Sequence, residues 1–229
     1  MKIWHISDTH SYHYLLTIPN NIDIVIFSGD CSNPREPSIN EGEVRTFITW
    51  FSSLPIRYKI FVAGNHDTSI EKGYITKDNF TQAGIIYLEN ESIEIPNGFE
   101  PIKIWGSPYT PSFGIGWAFN KSRATINRVW DLIPEDTDIV VVHGPPKGAL
   151  DLSYDKEGKL EFCGCSALAK KIINIKPKLC LFGHIHNSED VTNAGYTIYS
   201  NYKTIYSNGS VLTDGKFGKL SSNGNMFVI

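Results

Sequence analysis

Three observations predict an α/β fold for this 229-residue chain. Six short runs of apolar and β-branched residues punctuate it, at Lys2–Ile6, Asp23–Phe27, Lys59–Val62, Ile102–Trp105, Asp138–Val142 and Lys178–Phe182. Near-continuous hydrophobicity over about five residues marks strands covered on both faces. Helical patterns lie between several of these runs, and alternating strands and helices build layered α/β domains. From Gly195 onward the texture turns to Tyr, Thr, Ser, Asn and Gly, with short extended pieces such as "TIYS" and "MFVI". That tail predicts antiparallel strands completing a sheet, so one domain is expected over residues 1–229.

The elements follow in order. "MKIWHISDTH" enters a strand directly, without the charged and apolar regions of a secretory leader. Ser38 and Glu41 have capping-box spacing, and Val44, Phe47, Ile48 and Phe51 then follow the i, i+3, i+4, i+7 rule. A second helix is expected over Ser122–Leu132. Cys165, Leu168, Ala169 and Ile172 repeat the helical spacing before Pro177. "SNPREPS" and "SPYTPSFGIGW" are rich in proline and glycine and predict ordered loops.

Composition narrows the class. Hydrophobic residues at 41 % and charged residues at 20 % are ordinary globular values. A net charge of −3 gives no basic footprint for gripping duplex DNA, so nucleic acid is possible but not favoured. No apolar run approaches the roughly 20 residues that cross a bilayer, so no membrane association is expected. Cys31, Cys163, Cys165 and Cys180 lack C-x-x-C spacing. Without a leader they read as free thiols of a cytoplasmic protein, placed in the core or at helix starts.

The polar residues carry the chemistry. "KIWHI" runs into "SDTH", bringing Asp8 and His10; "IDIVIF" runs into "SGD", bringing Asp30. "YKIFVA" leads to "GNHD", with Asn65, His66 and Asp67. "DIVVV" leads to His143, and "KLCLF" to His184 and His186. A lone Asp or Asn after a strand is ordinarily a turn residue or a helix cap. His5, inside the first strand, and His13, in a loop, read as structural. Yet five of the seven histidines fall at strand ends, where α/β sheets collect their ligands. Chance places them there poorly, and metal binding explains them.

Histidine nitrogens with carboxylate oxygens and no thiolate suit first-row ions such as Mn, Fe, Zn, Co or Ni. Seven candidate ligands exceed what one ion uses. Two ions roughly 3.5–4 Å apart, bridged by a carboxylate and a hydroxide, would use them and would clamp an in-line displacement at phosphorus.

"SDTH", "SGD", "GNHD", "HGPP" and "GHIH", in this order, resemble the calcineurin-like metallophosphoesterases. "GSPYTPSFGIGWAFN", "VVHGPPKGALD", "CGCSAL" and "GHIHNS" resemble, within that family, the metallophosphoesterase-domain-containing phosphodiesterases. The resemblance implies a four-layer αββα sandwich of two mixed β-sheets flanked by helices. It implies that Asp8, His10 and His186 hold a first divalent ion, that Asp30 bridges, and that Asn65, His143 and His184 hold a second. Manganese is the favoured ion. His66 would contact the phosphoryl group and help the leaving oxygen depart, and Asp67 would orient His66 by a hydrogen bond.

The function expected is hydrolysis of small phosphodiesters such as cyclic nucleotides. A phosphomonoesterase or protein phosphatase, a nuclease and a metal-binding interaction scaffold are the alternatives. The loops Ser32–Ser38 and Ser107–Trp117 carry Arg35, Tyr109, Phe113 and Trp117, which can stack on a base and pair with a phosphate. Asn65 and His66 are expected to share substrate binding with Arg35.

Overall fold

A computed structural model describes residues 1–98, 100–199, 203–215 and 218–229. The chain begins with β1 (Lys2–Ile6), β2 (Ile24–Ser28), the long helix α1 (Pro37–Ser53) and β3 (Tyr58–Val62). Short helices α2 (Thr68–Glu71) and α3 (Lys77–Gln82) precede β4 (Ile86–Tyr87), β5 (Glu91–Ile95) and β6 (Ile102–Ser107). The pair β7 (Thr110–Pro111) and β8 (Asn120–Lys121) leads to α4 (Asn127–Trp130) and β9 (Ile139–Val142). A hairpin of β10 (Leu152–Tyr154) and β11 (Leu160–Phe162) comes before α5 (Ser166–Ile175) and β12 (Leu179–Phe182). The tail holds β13 (Gly195–Ile198), β14 (Ile205–Asn208) and β15 (Asn225–Val228).

Two mixed sheets result. The first has the order β15-β1-β2-β3-β4, with only β15 antiparallel to its neighbour. The second runs β13-β14-β12-β9-β6-β5, with a parallel centre and antiparallel β13 and β5 at its edges.

Side-chain alternation splits each apolar strand between two cores. Ile3, Ile24, Ile26, Ile60 and Val62 face Ile104, Ile139, Val141, Leu179 and Leu181 between the sheets. Their sequence neighbours Trp4, Val25, Phe27 and Phe61 point outward against Val44, Phe47 and Phe51 of α1. Val140, Val142, Cys180 and Phe182 likewise meet α4 and α5 through Trp130, Leu168 and Ile172. Helix, sheet, sheet, helix: these are the four layers expected. Burying one such large apolar side chain stabilises by about 1.5–3 kcal/mol, so the six runs drive the architecture.

Several local expectations are corrected. Helix α1 starts at Pro37 with Glu36 as its extended cap, and Ser38 lies inside it, donating to Glu36 Oε1 at 3.2 Å. The ring-locked φ of Pro37 suits the first helical position and outweighs the Ser38 cap. The helix expected over Ser122–Leu132 is regular only at Asn127–Trp130, with turns before and after it. The tail completes both sheets, not one, and β14 runs parallel to β12. His5 does read as structural: it faces inward from β1 and ties Ser28 Oγ of the first sheet to Ser207 Oγ of the second, at 2.9 and 2.8 Å. The four cysteines form no disulfide. Among the described residues no helix is long and apolar enough to cross a membrane.

Candidate metal centre

The strands β1, β2 and β3 of one sheet and β9 and β12 of the other deliver their following residues to a shared end of the sandwich. Asp8, His10, Asp30 and His184 take positive φ values of 55°, 41°, 59° and 70°. Left-handed backbone costs a non-glycine residue about 1–2 kcal/mol, so these turns are held by other contacts. Asp8 N–H donates to Gly29 O at 2.9 Å, and His10 N–H to Asp30 O at 3.1 Å. His66 N–H donates to Asp30 Oδ1 at 2.7 Å, and His184 N–H to Asp8 Oδ2 at 2.9 Å. The carboxylates therefore lie against main chain. A Cβ at Gly64 would overlap Asp30, and one at Gly183 would overlap Asp8 and Ser7.

Four imidazoles are oriented in one way. Their Nδ1 atoms donate to carbonyl oxygens: His10 to Ser32 at 3.1 Å, His66 to Asn33, His143 to Ser28 and His186 to Leu212, each at 2.9 Å. A carbonyl only accepts, so each Nδ1 carries the proton, and in a neutral ring Nε2 presents its lone pair. Those Nε2 atoms converge. His10 Nε2 and His186 Nε2 lie 3.3 Å apart, with His186 Nε2 3.5 Å from Asp8 Oδ1. His143 Nε2 stands 3.3 Å from Asp30 Oδ2 and 2.9 Å from Asn65 Oδ1. The facing His10 and His186 lone pairs repel each other, and the His186 lone pair repels the Asp8 carboxylate, unless a cation lies between them. Outer hydrogen bonds that fix the tautomer are the usual support of metal-ligating histidine.

The protonation pattern agrees. Burial pushes the His10 ring down to about 4 against the opposing Asp30 charge, and the His184 ring to about 3, where the His143 charge adds to it. Burial works against charge on Asp30 as well, but His143 and His66 hold it well below the usual carboxylate range. For Asp8, the rings of His186 and His143 overcome the same burial and lower it. The reciprocal effect raises His143 to about 9 despite its burial, so without an ion it is the cation of an Asp30–His143 pair. Metal ligation requires that proton to leave.

Three groups bring their ligand atoms within 4.8 Å of one another: Asp8, His10 and His186; His10, Asp30 and His66; Asp30, His143 and His184. All seven residues expected as ligands thus lie together, Asn65 through its contact with His143. Neutral imidazoles and ionised carboxylates are the donor set that a divalent first-row ion requires, so the residues fit such ions. His66, expected outside the ligand set, has a nitrogen within reach of one group, its ring edge-on to His10 with centroids 4.6 Å apart.

Asp67 does not orient His66. It is fully buried beneath the loops, where its carboxylate accepts from Gly64 N, Asp30 N and Ser32 N at 2.8, 3.0 and 3.2 Å. Ser32 Oγ and Cys31 Sγ donate to it as well. Burial, then the Asp30 charge, raises its pKa. Turning into α2 directs the side chain back under the ligand loops, leaving the His66 ring to the Asn33 carbonyl. Asn40 supports that loop, donating to Ser32 Oγ, Pro34 O and His66 O at 2.7–2.8 Å.

The site opens into a cavity of about 490 Å³. Trp117 packs on His66 with centroids 4.7 Å apart, Phe113 on His184 at 5.0 Å, and the two on each other at 5.4 Å. The Arg35 guanidinium lies 3.6 Å from the Trp117 ring centre. Tyr109 is not part of this rim: it packs on Phe119 and under the Lys121 amine. The opposite wall, from Tyr12 and Leu212–Asp214, carried no motif in the sequence. Leu212 contributes a carbonyl, which any residue could offer, so only the fold reveals it.

A sequence profile of the calcineurin-like phosphoesterases matches residues 1–188. Metallophosphoesterase domain-containing protein 1 of Homo sapiens is 33 % identical over 232 residues, covering 91 % of this chain and 65 % of that protein. Probable rhamnogalacturonate lyase C of Emericella nidulans is 38 % identical over 191 residues, which are 79 % of this chain but 16 % of that protein. The chain thus spans less than two thirds of the length of either. Phosphopantetheinyl hydrolase (PptH) from Mycobacterium tuberculosis shares the fold, with a TM-score of 0.59 at 15 % identity over 92 % of this chain and 89 % of that one. Lone-pair geometry, strand order and sequence match agree: this chain belongs to the calcineurin-like phosphoesterases, hydrolases that use divalent metals.

Proposed function

We propose that the chain is a dinuclear phosphodiesterase acting on small phosphodiesters, with cyclic nucleotides the first class to test and manganese the first metal. One observation carries the reading. Asp30 belongs to two ligand groups at once, with His10 on one side and His143 and His184 on the other. Asp8, His10 and His186 would hold one ion, Asn65, His143 and His184 the other, and Asp30 both. Bound there, the ions would supply Lewis acidity to the phosphoryl oxygens and make water a nucleophile at neutral pH.

The chain's own groups do the rest. Hydrolysis forms a bond from water oxygen to phosphorus and breaks the bond to the leaving oxygen, which needs a proton. His66 keeps Nδ1–H on Asn33 O and turns its other nitrogen to the cavity, so a proton on Nε2 can pass to that oxygen. Trp117 and Phe113 line the cavity and offer stacking surface to a small organic ester, and the Arg35 guanidinium lies over the Trp117 ring.

Reconstitution with manganese, elemental analysis and turnover test this together. Two ions per chain are expected, with a nitrophenyl diester cleaved faster than the matching monoester. One ion per chain at saturation would overturn the dinuclear reading, and a faster monoester would make the protein a phosphatase.

A further inference from the structure

Three cavities meet at His184. The metal-centre cavity shares only Phe113 and His184 with a second chamber of about 320 Å³. A third, of about 180 Å³, shares His184, His186 and Asp214 with the first, and Ser153, Tyr154, His184 and Ile185 with the second. His184 therefore borders all three, and Phe113 borders the first two, its ring 5.0 Å from His184.

We infer that the chamber beyond Phe113 is a second substrate subsite, taking the flat or apolar substituent that a phosphodiester retains after cleavage; this rests on the phosphodiesterase reading above. A diester at the histidine cluster carries two substituents that diverge from phosphorus. The leaving oxygen belongs beside His66, and with it the metal-centre cavity, where Trp117 packs on His66. The retained oxygen then points past His184, toward Phe113 and the chamber beyond it. A monoester, having no second substituent, would leave that room unused.

The walls suit such a group. Pro111, Phe113, Pro145, Tyr154 and Ile185 supply flat and apolar surface, and Ser153 a hydroxyl. The chamber is built, not incidental. Arg123 donates to Gly164 O at 3.0 Å and to Cys163 O at 2.8 Å, fixing the far wall. Asp151 accepts from Gly164 N–H at 2.8 Å and from Gly148 N–H at 3.0 Å, closing the loop behind it. A cavity near 300 Å³ is at the lower end of those that hold organic ligands. Substrates with a separate group on each oxygen would fill both rooms, whereas a cyclic diester, which returns both oxygens to one sugar, would draw on one of them.

Binding of two phosphinates tests this, because their phosphorus–carbon bonds are not hydrolysed. Diphenylphosphinate carries two rings and methylphenylphosphinate one. With manganese supplied, calorimetry should show the wild-type protein preferring the two-ring anion by about tenfold, a modest return for one stacked ring. Tyr154→Ala removes a half-exposed wall, and Ser153→Trp fills the room; each should erase the preference. No preference in wild type, or a preference kept in both variants, overturns the subsite. Turnover of bis(4-nitrophenyl) phosphate by the same wild-type sample separates the two readings. Preference without turnover would overturn the hydrolytic reading alone, and turnover without preference the subsite alone.

Discussion

His66 and Asn33 are joined by a 2.9 Å hydrogen bond in which the imidazole Nδ1–H donates to a main-chain carbonyl. The bond leaves Nε2 for the substrate or for a metal, and a leaving-group comparison separates these. As a proton donor, His66 should lose about 10²–10⁴-fold in rate on His66→Ala for a ribose-type leaving group. A nitrophenolate leaves without a proton, so its ester should suffer much less, with metal content unchanged. Equal losses on both esters would remove the acid role, and loss of an ion would make His66 a ligand.

Asp30 and His10 should behave differently toward metal. Asp30→Ala should abolish turnover and loosen both ions, because Asp30 faces His10 and His143 at once. His10→Ala should weaken chiefly the site shared with Asp8 and His186. Metal titration followed by elemental analysis reads both, and matching partial losses in the two variants would contradict a shared carboxylate.

Asp67 should prove structural. Its carboxylate accepts three main-chain N–H groups, a hydroxyl and a thiol, all buried. Asp67→Ala strands those donors and should cost at least about 3 kcal/mol of stability, taking about 1.5–3 kcal/mol for each hydrogen bond to a charged group. Denaturant unfolding measures it. Unchanged stability with a large fall in kcat would return Asp67 to a catalytic role.

Acid should destabilise the fold through histidines outside the metal centre. Burial holds His5 down to about 3 and His13 to about 4. In the unfolded chain both take a proton near 6.5, whereas the native state takes none until far lower. Their contribution is therefore whole above pH 6.5 and lost as pH falls toward 4, by up to about 1.4 kcal/mol per unit for each. His13 packs on Trp50 and Phe47, and its buried Nδ1 has no hydrogen-bond partner. His13→Phe should raise the urea midpoint more at pH 4.5 than at pH 7.5, and an equal change at both would refute the linkage.

Local pattern revealed the strands because the apolar residues of the six runs are buried on both faces of their sheets. The edge strand β5, "ESIEI", alternates glutamate with isoleucine and is half exposed, so its signal is weaker. Helix α1 was legible from Val44, Phe47 and Phe51, but its start was not, because Pro37 favours the first helical position while Ser38 favours the cap that would precede it.

The residues of the site were legible for a similar reason. A histidine or aspartate directly after a buried strand stands at the sheet end, so Asp8, His10, Asp30, Asn65, His66, His143, His184 and His186 could be named from order alone. Sequence by itself brought out these eight side chains as candidates and showed that their chemistry suits a divalent metal. Only the tertiary structure decided how they are held. The carbonyls of Ser28, Ser32, Asn33 and Leu212 set the histidine tautomers, and a main-chain carbonyl carries no mark of residue type. Asp67, adjacent to His66 in sequence, turned under the loops because consecutive residues entering a helix point in different directions, which no spacing along the chain expresses.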